Sequence, residues 1–448
     1  MSDQYDISFR LSLLKKYVKF AFKSFYSDCI VVGRENIPTD CPVIFAPNHL
    51  NALMDALAVH TITPDKMPVT FLARADIFNN KTIAKFLRFI KIMPAFRMRD
   101  GVENLGKNNE IFELCVDILL HNKTIGIMPE GNQGEQRKLR VFTKGIFRIA
   151  FSAQQKFGST PNVKIVPIGI DFGDIVKFGK HIIINIGKPI EVSDFMDDYA
   201  ENPVIATNKI RDCLWENLSS LTINLDTNTY YDCFETTMNV ASGHQITELN
   251  LPKDAYLLFE IKQEIARKLV LLEKNEPEKI IELDKLCGDL KNNLRKLNLK
   301  NWVLDSSDYS MSSIIIEGLF LLITFPFFLI GLLVNIFPFF IPVYIRKSLK
   351  VEYEGFFSSI QFVIGIITFP IFYLLQTILV LSFTNASWTE LIIFFVGQYF
   401  LGKWAIEWYR TAKRNLAKQR FRTLLKNKSS VLENTINLRN KIIQLINK

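Results

Sequence analysis

Residues Ser313 to Ile345 form a run of 33 residues with a single charge, Glu317. At ~1.5 Å per residue, a helix of that length reaches roughly 50 Å, which exceeds the ~30 Å hydrocarbon core of a bilayer and falls short of two spans of about 20 residues. A run of this kind does not fit the surface of a water-soluble domain, so the chain is expected to end in a membrane-embedded helical region. The run is either one overlong span or a re-entrant hairpin, with Pro326, Gly331, Asn335, Pro338 and Pro342 as places to bend. Residues 356–383 and 388–408 make two further membrane segments, separated by Thr384-Asn385-Ala386-Ser387. The 37 phenylalanines of the chain agree with lipid contact.

Charge sets the expected topology. Of the net charge of +9, the tail from Arg410 to Lys448 carries eleven Lys or Arg and one acid, Glu433, which makes it +10 and leaves about −1 for the rest. A basic segment directly after an apolar one, flanked by Trp404 and Trp408, suits an anionic membrane surface better than nucleic acid. The positive-inside rule puts Arg346-Lys347-Ser348-Leu349-Lys350 and the tail in the cytoplasm and residues 384–387 outside. A single crossing by 313–345 then turns the N-terminal domain outward, whereas a re-entrant segment keeps it cytoplasmic. Leu424, Val431, Leu438 and Leu445 recur every seventh residue, a weak heptad that either packs on the chain itself or pairs two copies as a homodimer.

The N-terminal half reads differently. Residues 1–27 contain an amphipathic helix, with Leu11, Leu14, Val18, Phe22 and Phe25 on one side and Lys15, Lys16, Lys19 and Lys23 largely on others. It lies in a membrane interface or packs on its own domain. No cleavable signal is expected at the start. Across residues 28–225, short apolar runs at 30–32, 43–46, 69–73, 90–93, 124–128, 163–170 and 182–186 alternate with helical patterns at 52–62, 80–89, 103–121 and 140–157, and 201–222 reads as a closing helix. This predicts an α/β domain, a mostly parallel sheet flanked by helices. Residues 229–311 then read as a charged helical hairpin, Asp254 to Lys274 and Pro277 to Leu297, ahead of the membrane region 313–408 and the basic helical tail 409–448.

Within the α/β domain, Asn48-His49-Leu50-Asn51-Ala52-Leu53-Met54-Asp55 follows an apolar strand. Residues six apart differ by roughly 240° around a helix, so His49 and Asp55 cannot share a helical face. The pattern predicts a strand end, a turn holding His49, and a helix starting near Ala52 with Asn51 as N-cap and Asp55 in its first turns. A carboxylate bonded to one imidazole nitrogen leaves the other to take a proton, which is a general-base dyad. No serine or cysteine is tied to it, so the nucleophile is expected from the substrate. The six cysteines show neither CxxC nor metal-ligand spacing, and read as reduced thiols. No metal is expected. There is no GxSxG motif, and Gly397 to Lys403 spells GxxxxGK with Trp404 in place of Ser or Thr, so a phosphate loop is not expected either.

Three more blocks follow in order: Met93-Pro94-Ala95-Phe96-Arg97-Met98-Arg99, Met128-Pro129-Glu130-Gly131-Asn132-Gln133-Gly134, and Val166-Pro167-Ile168-Gly169, with Phe142-Thr143-Lys144-Gly145 after the third. Together with the His49 block, over residues 28 to 190, this series resembles the glycerophosphate and lysophosphatidate acyltransferase family. The resemblance implies transfer of a fatty acyl group from a thioester carrier, acyl-CoA or acyl carrier protein, to a glycerolipid hydroxyl. It also implies catalysis by His49 with Asp55, and no bound cofactor. It implies acceptor binding at Arg97, with Glu130 and Gly131 lining the acceptor site. Lys144, with Arg99 by proximity and Arg74 as helper, supplies further positive charge for an acceptor phosphate. This chain departs from the family in having five residues between His49 and Asp55 where four are usual, which resembles the fungal-type glycerol-3-phosphate and dihydroxyacetone-phosphate acyltransferases. Asn132-Gln133 also stand where the family carries Thr-Arg, so a neutral amide replaces a cation. The expected substrates are glycerol 3-phosphate or 1-acylglycerol 3-phosphate, at a bilayer, in phospholipid synthesis. Remodelling of another lysolipid and a non-catalytic lipid-binding scaffold are the alternatives.

Overall fold

Strands β1 (Cys29–Val32), β2 (Val43–Pro47), β3 (Val69–Arg74), β4 (Ile92–Ala95), β5 (Thr124–Gly126), β6 (Lys164–Phe172), β7 (Ile182–Ile186) and β8 (Ile190–Glu191) join in one sheet of order β1-β7-β6-β2-β5-β3-β4, with β8 on β6. The structure, a computed structural model, describes residues 8–95, 105–158, 160–252, 254–306, 309–351 and 353–447. Pairings β1/β7, β6/β2, β2/β5, β5/β3 and β3/β4 are parallel, and among the described residues only β6/β7 and β6/β8 are antiparallel. The sheet is therefore mixed and mostly parallel. Its central strands are apolar on both faces because helices cover both: every residue of β2, β5 and β7 is buried. The domain's core joins Ile44, Ile125 and Ile165 of the sheet to Phe147 and Phe151 of the covering helices.

Helix α1 (Phe9–Phe25) precedes this sheet. Interleaved with its strands are α2 (Leu53–Ile62), α3 (Lys81–Phe89), α4 (Leu105–Leu120) and α5 (Gly145–Phe157), and α6 (Met196–Glu201) and α7 (Pro203–Leu221) follow. Asn202 caps α7 by accepting from the N–H groups of Val204 and Ile205, and Pro203 occupies its first turn, where a missing N–H costs nothing. Helix α5 starts five residues later than the pattern at 140–157 suggests. The N–H and hydroxyl of Thr143 both donate to Pro129 O, at 2.7 and 3.1 Å, so Thr143 is tied to the Pro-Glu-Gly turn instead of to a helix.

Two lysines of α1 depart from the amphipathic reading. Lys15 is buried and donates to Pro64 O at 2.8 Å and Met67 O at 3.0 Å, while Lys19 donates to Thr63 O at 2.7 Å. They neutralise the carbonyl end of α2, where cations are favoured. Burial lowers the Lys15 pKa to about 8. Phe22 and Phe25 pack inward, and Phe9, Leu13 and Phe20 remain exposed on the other face.

The chain divides into two compact units, residues 1–224 with 351–359, and residues 225–350 with 360–448. In the second, α8 (Tyr231–Glu248), α9 (Ala255–Asn275) and α10 (Pro277–Leu297) make three helices where the sequence pattern indicates two. Helix α8 is masked in sequence by its polar residues, but Cys233, Phe234, Met238 and Val240 bury one side of it.

Helix α11 (Met311–Ser348) is continuous for 38 residues through Pro326, Pro338 and Pro342, roughly 57 Å at ~1.5 Å per residue, so the chain does not turn back inside it as a re-entrant hairpin would. Helix α12 (Phe357–Phe383) follows, then α13 (Trp388–Lys426), which runs unbroken from the expected third membrane segment into the basic tail, and α14 (Ser430–Asn447). Among the described residues, Met311–Ser348 and Glu354–Phe383 are the two stretches long and apolar enough to cross a membrane. Glu390, Gln398 and Lys403 interrupt the corresponding part of α13.

The lone Glu317 of α11 is paired: Lys418 Nζ lies 2.9 Å from its Oε2, and Asn415 Nδ2 donates to the same oxygen at 2.8 Å. Trp408 donates to Leu321 O and stacks on Phe328, so it packs against α11. Of the expected tail seam only Leu438 is buried, while Val431 is exposed, because the face of α14 that packs is set one residue on. Helix α14 lies against α8 and α10 with Leu432, Leu438 and Ile442 buried, and Arg439 pairs with Asp305 at 2.7 Å.

Candidate active site

Parallel strands end at a common edge, and in open α/β sheets that edge is where ligands bind. Strands β2, β5, β3 and β4 are mutually parallel neighbours, so the segments leaving their carboxyl ends emerge together: His49 after β2, Pro129 to Gly134 after β5, and Arg74 at the end of β3. Arg97 and Arg99 lie outside the described residues, as does the side chain of Arg74.

The turn after β2 is locked from several directions. Asn48 prolongs the β2/β6 ladder with its side chain, accepting from Ile170 N–H at 2.7 Å and donating to Ile170 O at 3.1 Å. The backbone of His49 is held at both ends by the Pro129 to Gly134 turn. Its N–H donates to Glu130 Oε1 at 2.8 Å, and its carbonyl accepts from Gly134 N–H at 2.9 Å. With the main chain pinned, only the imidazole is left to point out of the turn.

His49 Nδ1 sits 2.8 Å from Asp55 Oδ2. Asp55 is fully buried in the first turn of α2, where the helix dipole favours an anion, and the His49 side chain keeps 17 % of its surface exposed. The same Oδ2 accepts Asn51 N–H at 2.8 Å. Burial pushes the Asp55 carboxyl above its ordinary value, and the bonds from His49 and Asn51 draw it part of the way back. An imidazole held at Nδ1 by a carboxylate presents Nε2 to an incoming hydroxyl.

The five residues between His49 and Asp55 turn sharply at Ala52. The expected N-cap, Asn51, is displaced by one position, and Ala52 takes the place before α2 with φ 45° and ψ −117°. With Met54 N–H donating to Asn51 O at 2.9 Å, residues 51–54 form a type II′ turn whose first central position ordinarily suits glycine. An alanine there carries strain of about 1–3 kcal/mol and persists only where its surroundings enforce it. Freed from capping, the Asn51 side chain donates to Ile175 O at 3.1 Å and accepts from Ser358 Oγ at 2.7 Å.

Glu130 is placed otherwise than the sequence implies. Its carboxylate is 5 % exposed and fully engaged, by His49 N–H on one oxygen and by Arg140 Nε at 2.9 Å on the other, so it supports the turn instead of facing an acceptor. Burial raises its pKa, and the Arg140 charge opposes that rise. Gly131 has φ 70°, and a Cβ built on it would stand 2.7 Å from Thr143 Cγ2. Gly131→Ala is therefore expected to destabilise the domain by about 1–3 kcal/mol, measured as a shift in unfolding midpoint. An unshifted midpoint would show that the turn relaxes freely.

Sequence reasoning missed Arg140. Besides Glu130, its guanidinium donates to Gln133 O at 2.6 Å, and its Nη2 is buried with no partner among the described residues. A cation thus stands beside the Glu-Gly turn although Gln133, where the resemblance leads one to expect an arginine, is neutral. Nothing in the spacing of Arg140, ten residues after Glu130, signals this. Lys144 is exposed at the start of α5. No cluster of three or more His, Cys, Asp or Glu side chains is placed to hold a metal among the described residues.

The family model "Acyltransferase" matches residues 28–171. Glycerol-3-phosphate O-acyltransferase 1 of Saccharomyces cerevisiae is 22 % identical over 63 % of this chain and 39 % of its own length. The chloroplastic 1-acyl-sn-glycerol-3-phosphate acyltransferase BAT2 of Brassica napus is 26 % identical over 45 % of this chain and 57 % of its own. This chain therefore spans less than two thirds of either relative. The crystal structure of the 1-acyl-sn-glycerophosphate acyltransferase PlsC from Thermotoga maritima is 20 % identical, covering 46 % of this chain and 76 % of that one, at a TM-score of 0.35, a likeness too slight to reason from. The matched stretch takes in β1 through most of β6 and holds His49, Asp55 and Glu130 together at one sheet edge. Residues 28–171 of this chain are thus similar to the acyltransferase family, over about a third of its length.

Proposed function

We propose that the chain transfers a fatty acyl group from an acyl thioester, acyl-CoA or acyl carrier protein, to the hydroxyl of glycerol 3-phosphate or 1-acylglycerol 3-phosphate at a membrane. The observation that carries this reading is the 2.8 Å contact between His49 Nδ1 and buried Asp55. It leaves one ring nitrogen to act as base on a substrate hydroxyl. His49 Nε2 removes the hydroxyl proton as the oxygen attacks the thioester carbonyl. The tetrahedral intermediate collapses with loss of the C–S bond, and the imidazolium returns its proton to the departing thiolate. Asp55 stabilises the imidazolium between these steps. Arg140, with Arg97, Arg99, Lys144 and Arg74, provides cations for an acceptor phosphate, and guanidinium forks suit that group.

Acyl transfer by the full chain in vesicles, with both thioester donors and a panel of glycerol 3-phosphate, lysophosphatidate and other lysolipids, tests the reading. Acylation of one of the first two supports it, acylation of another lysolipid alone redirects it to remodelling, and a barren panel sinks it in favour of a lipid-binding scaffold.

The orientation is part of the same proposal. Residues 351–359 belong to the compact unit that holds His49, so the two share one side of any bilayer, and the continuous α11 between them begins and ends on that side, neither crossing once nor folding back as a hairpin. The neighbouring Arg346, Lys347 and Lys350 favour the cytoplasmic side. Helix α12, at roughly 40 Å, then carries the chain across to Thr384. In a cysteine-free background, Val141→Cys and Tyr353→Cys are expected to label from one side and Thr384→Cys from the other. Labelling of Val141→Cys and Tyr353→Cys from opposite faces would contradict the assignment.

A further inference from the structure

The His49 turn is completed by a segment more than 300 residues away in the chain. Residues 351–359, the link after α11 and the first turn of α12, belong to the same compact unit as the turn. Three of their contacts converge on Leu50 and Asn51. Ser358 Oγ donates to Asn51 Oδ1 at 2.7 Å, and Ser359 Oγ lies 3.4 Å from Asn51 O. Gly355 approaches so closely that a Cβ built on it would stand 2.9 Å from Leu50 O, in backbone contact that no side chain can accommodate without movement. Ser358, Ser359 and Asn51 are all buried, so these bonds do not compete with water.

What they hold is the strained part of the site. Asn51 is the residue whose N–H reaches Asp55 Oδ2, and it immediately precedes Ala52, the alanine in a glycine-like conformation. The other oxygen of Asp55, Oδ1, is buried and has no partner among the described residues. Every hydrogen bond the carboxylate accepts from this turn therefore falls on the one oxygen that also holds the imidazole. A shift of Asn51 moves that oxygen, and with it His49 Nδ1.

We propose that Ser358 is a positioning residue for acyl transfer, and that the 354–359 segment acts as a clamp which keeps the lengthened His49 to Asp55 turn in its reactive geometry. The proposal rests on the reading of His49 as the base. It makes the start of the second apolar helix part of the active-site architecture, through Asn51 and without contact to substrate. Where geometry is the only thing lost, small misplacements of a general base lower turnover more than binding.

The test compares wild type, Ser358→Ala, Gly355→Ala, Asn51→Ala and the Ser358→Ala/Asn51→Ala pair, as full chains in vesicles. kcat and KM are measured for both substrates, alongside the unfolding midpoint. Ser358→Ala is expected to lower kcat roughly 10–100-fold with KM for each substrate within about 2-fold. Gly355→Ala is expected to show the same signature by a steric route. The double variant is expected to be no slower than Asn51→Ala alone, since Ser358 acts only through Asn51. Unchanged kcat in Ser358→Ala, a loss matched by a fall in folded protein, a loss confined to KM, or additive losses in the double variant would each overturn the clamp. If wild type itself acylates no acceptor, the proposed function fails and the clamp falls with it. An active wild type with an unaffected Ser358→Ala sinks the clamp alone.

Discussion

His49→Ala is expected to lower kcat for acyl transfer by about 10³-fold while leaving the fold intact, because positioned general bases contribute roughly 10²–10⁴-fold. The structural cost is small for a stated reason. The main chain of residue 49 is held by Glu130 Oε1 and by Gly134 N–H, and neither contact uses the imidazole. KM for both substrates is expected to stay within a few-fold, since the imidazole works in the transition state. Asp55→Asn is expected to lose a similar factor by allowing the wrong tautomer. It is also expected to cost stability, since the amide must present its oxygen to both His49 and Asn51 in a fully buried site. Unchanged acyl transfer by a folded His49→Ala protein would remove the enzyme assignment from this site.

Glu130→Ala should be the most destabilising single change at the site, by about 2–3 kcal/mol, with turnover falling on the order of 100-fold in the protein that remains folded. It strips a buried acceptor from His49 N–H and the counter-charge from Arg140, and broken buried pairs cost about 3–5 kcal/mol. The figure is reduced here because the Arg140 side chain is 31 % exposed and partly screened. Glu130→Gln keeps an oxygen for His49 N–H and is expected to retain most turnover with a loss of about 1 kcal/mol. A ligand role makes the opposite forecast: Glu130→Gln would raise KM for the acceptor and leave the unfolding midpoint alone. Chemical denaturation and steady-state kinetics on the pair of variants separate the two.

The sheet was readable in the sequence because burial on both faces forces unbroken apolar strands. The runs at 43–46, 163–170 and 182–186 appear as β2, β6 and β7 with ends shifted by a residue or two. Helix α8 was not readable, because its buried face is built partly from Thr237 and Ser242, which look polar in sequence but are hidden by neighbouring helices. The sequence left continuity of α11 open, with one overlong span and a re-entrant hairpin both allowed. Prolines disrupt helices in isolation, and whether three of them bend the chain back depends on what packs beside it.

At the site, sequence alone determined that His49 and Asp55 stand on either side of a strand-to-helix turn and that a Pro-Glu-Gly turn follows a neighbouring strand. Those are properties of residue spacing and local periodicity, which act over a few residues. Tertiary structure decided the rest. It turned Glu130 inward to hold the His49 backbone, brought Arg140 beside the turn where Gln133 supplies no charge, put Ala52 in a left-handed conformation, and set Ser358 against Asn51. These choices depend on which buried donors and acceptors remain to be satisfied once the sheet has closed. That pairing is made in space between segments that carry no mark of one another along the chain.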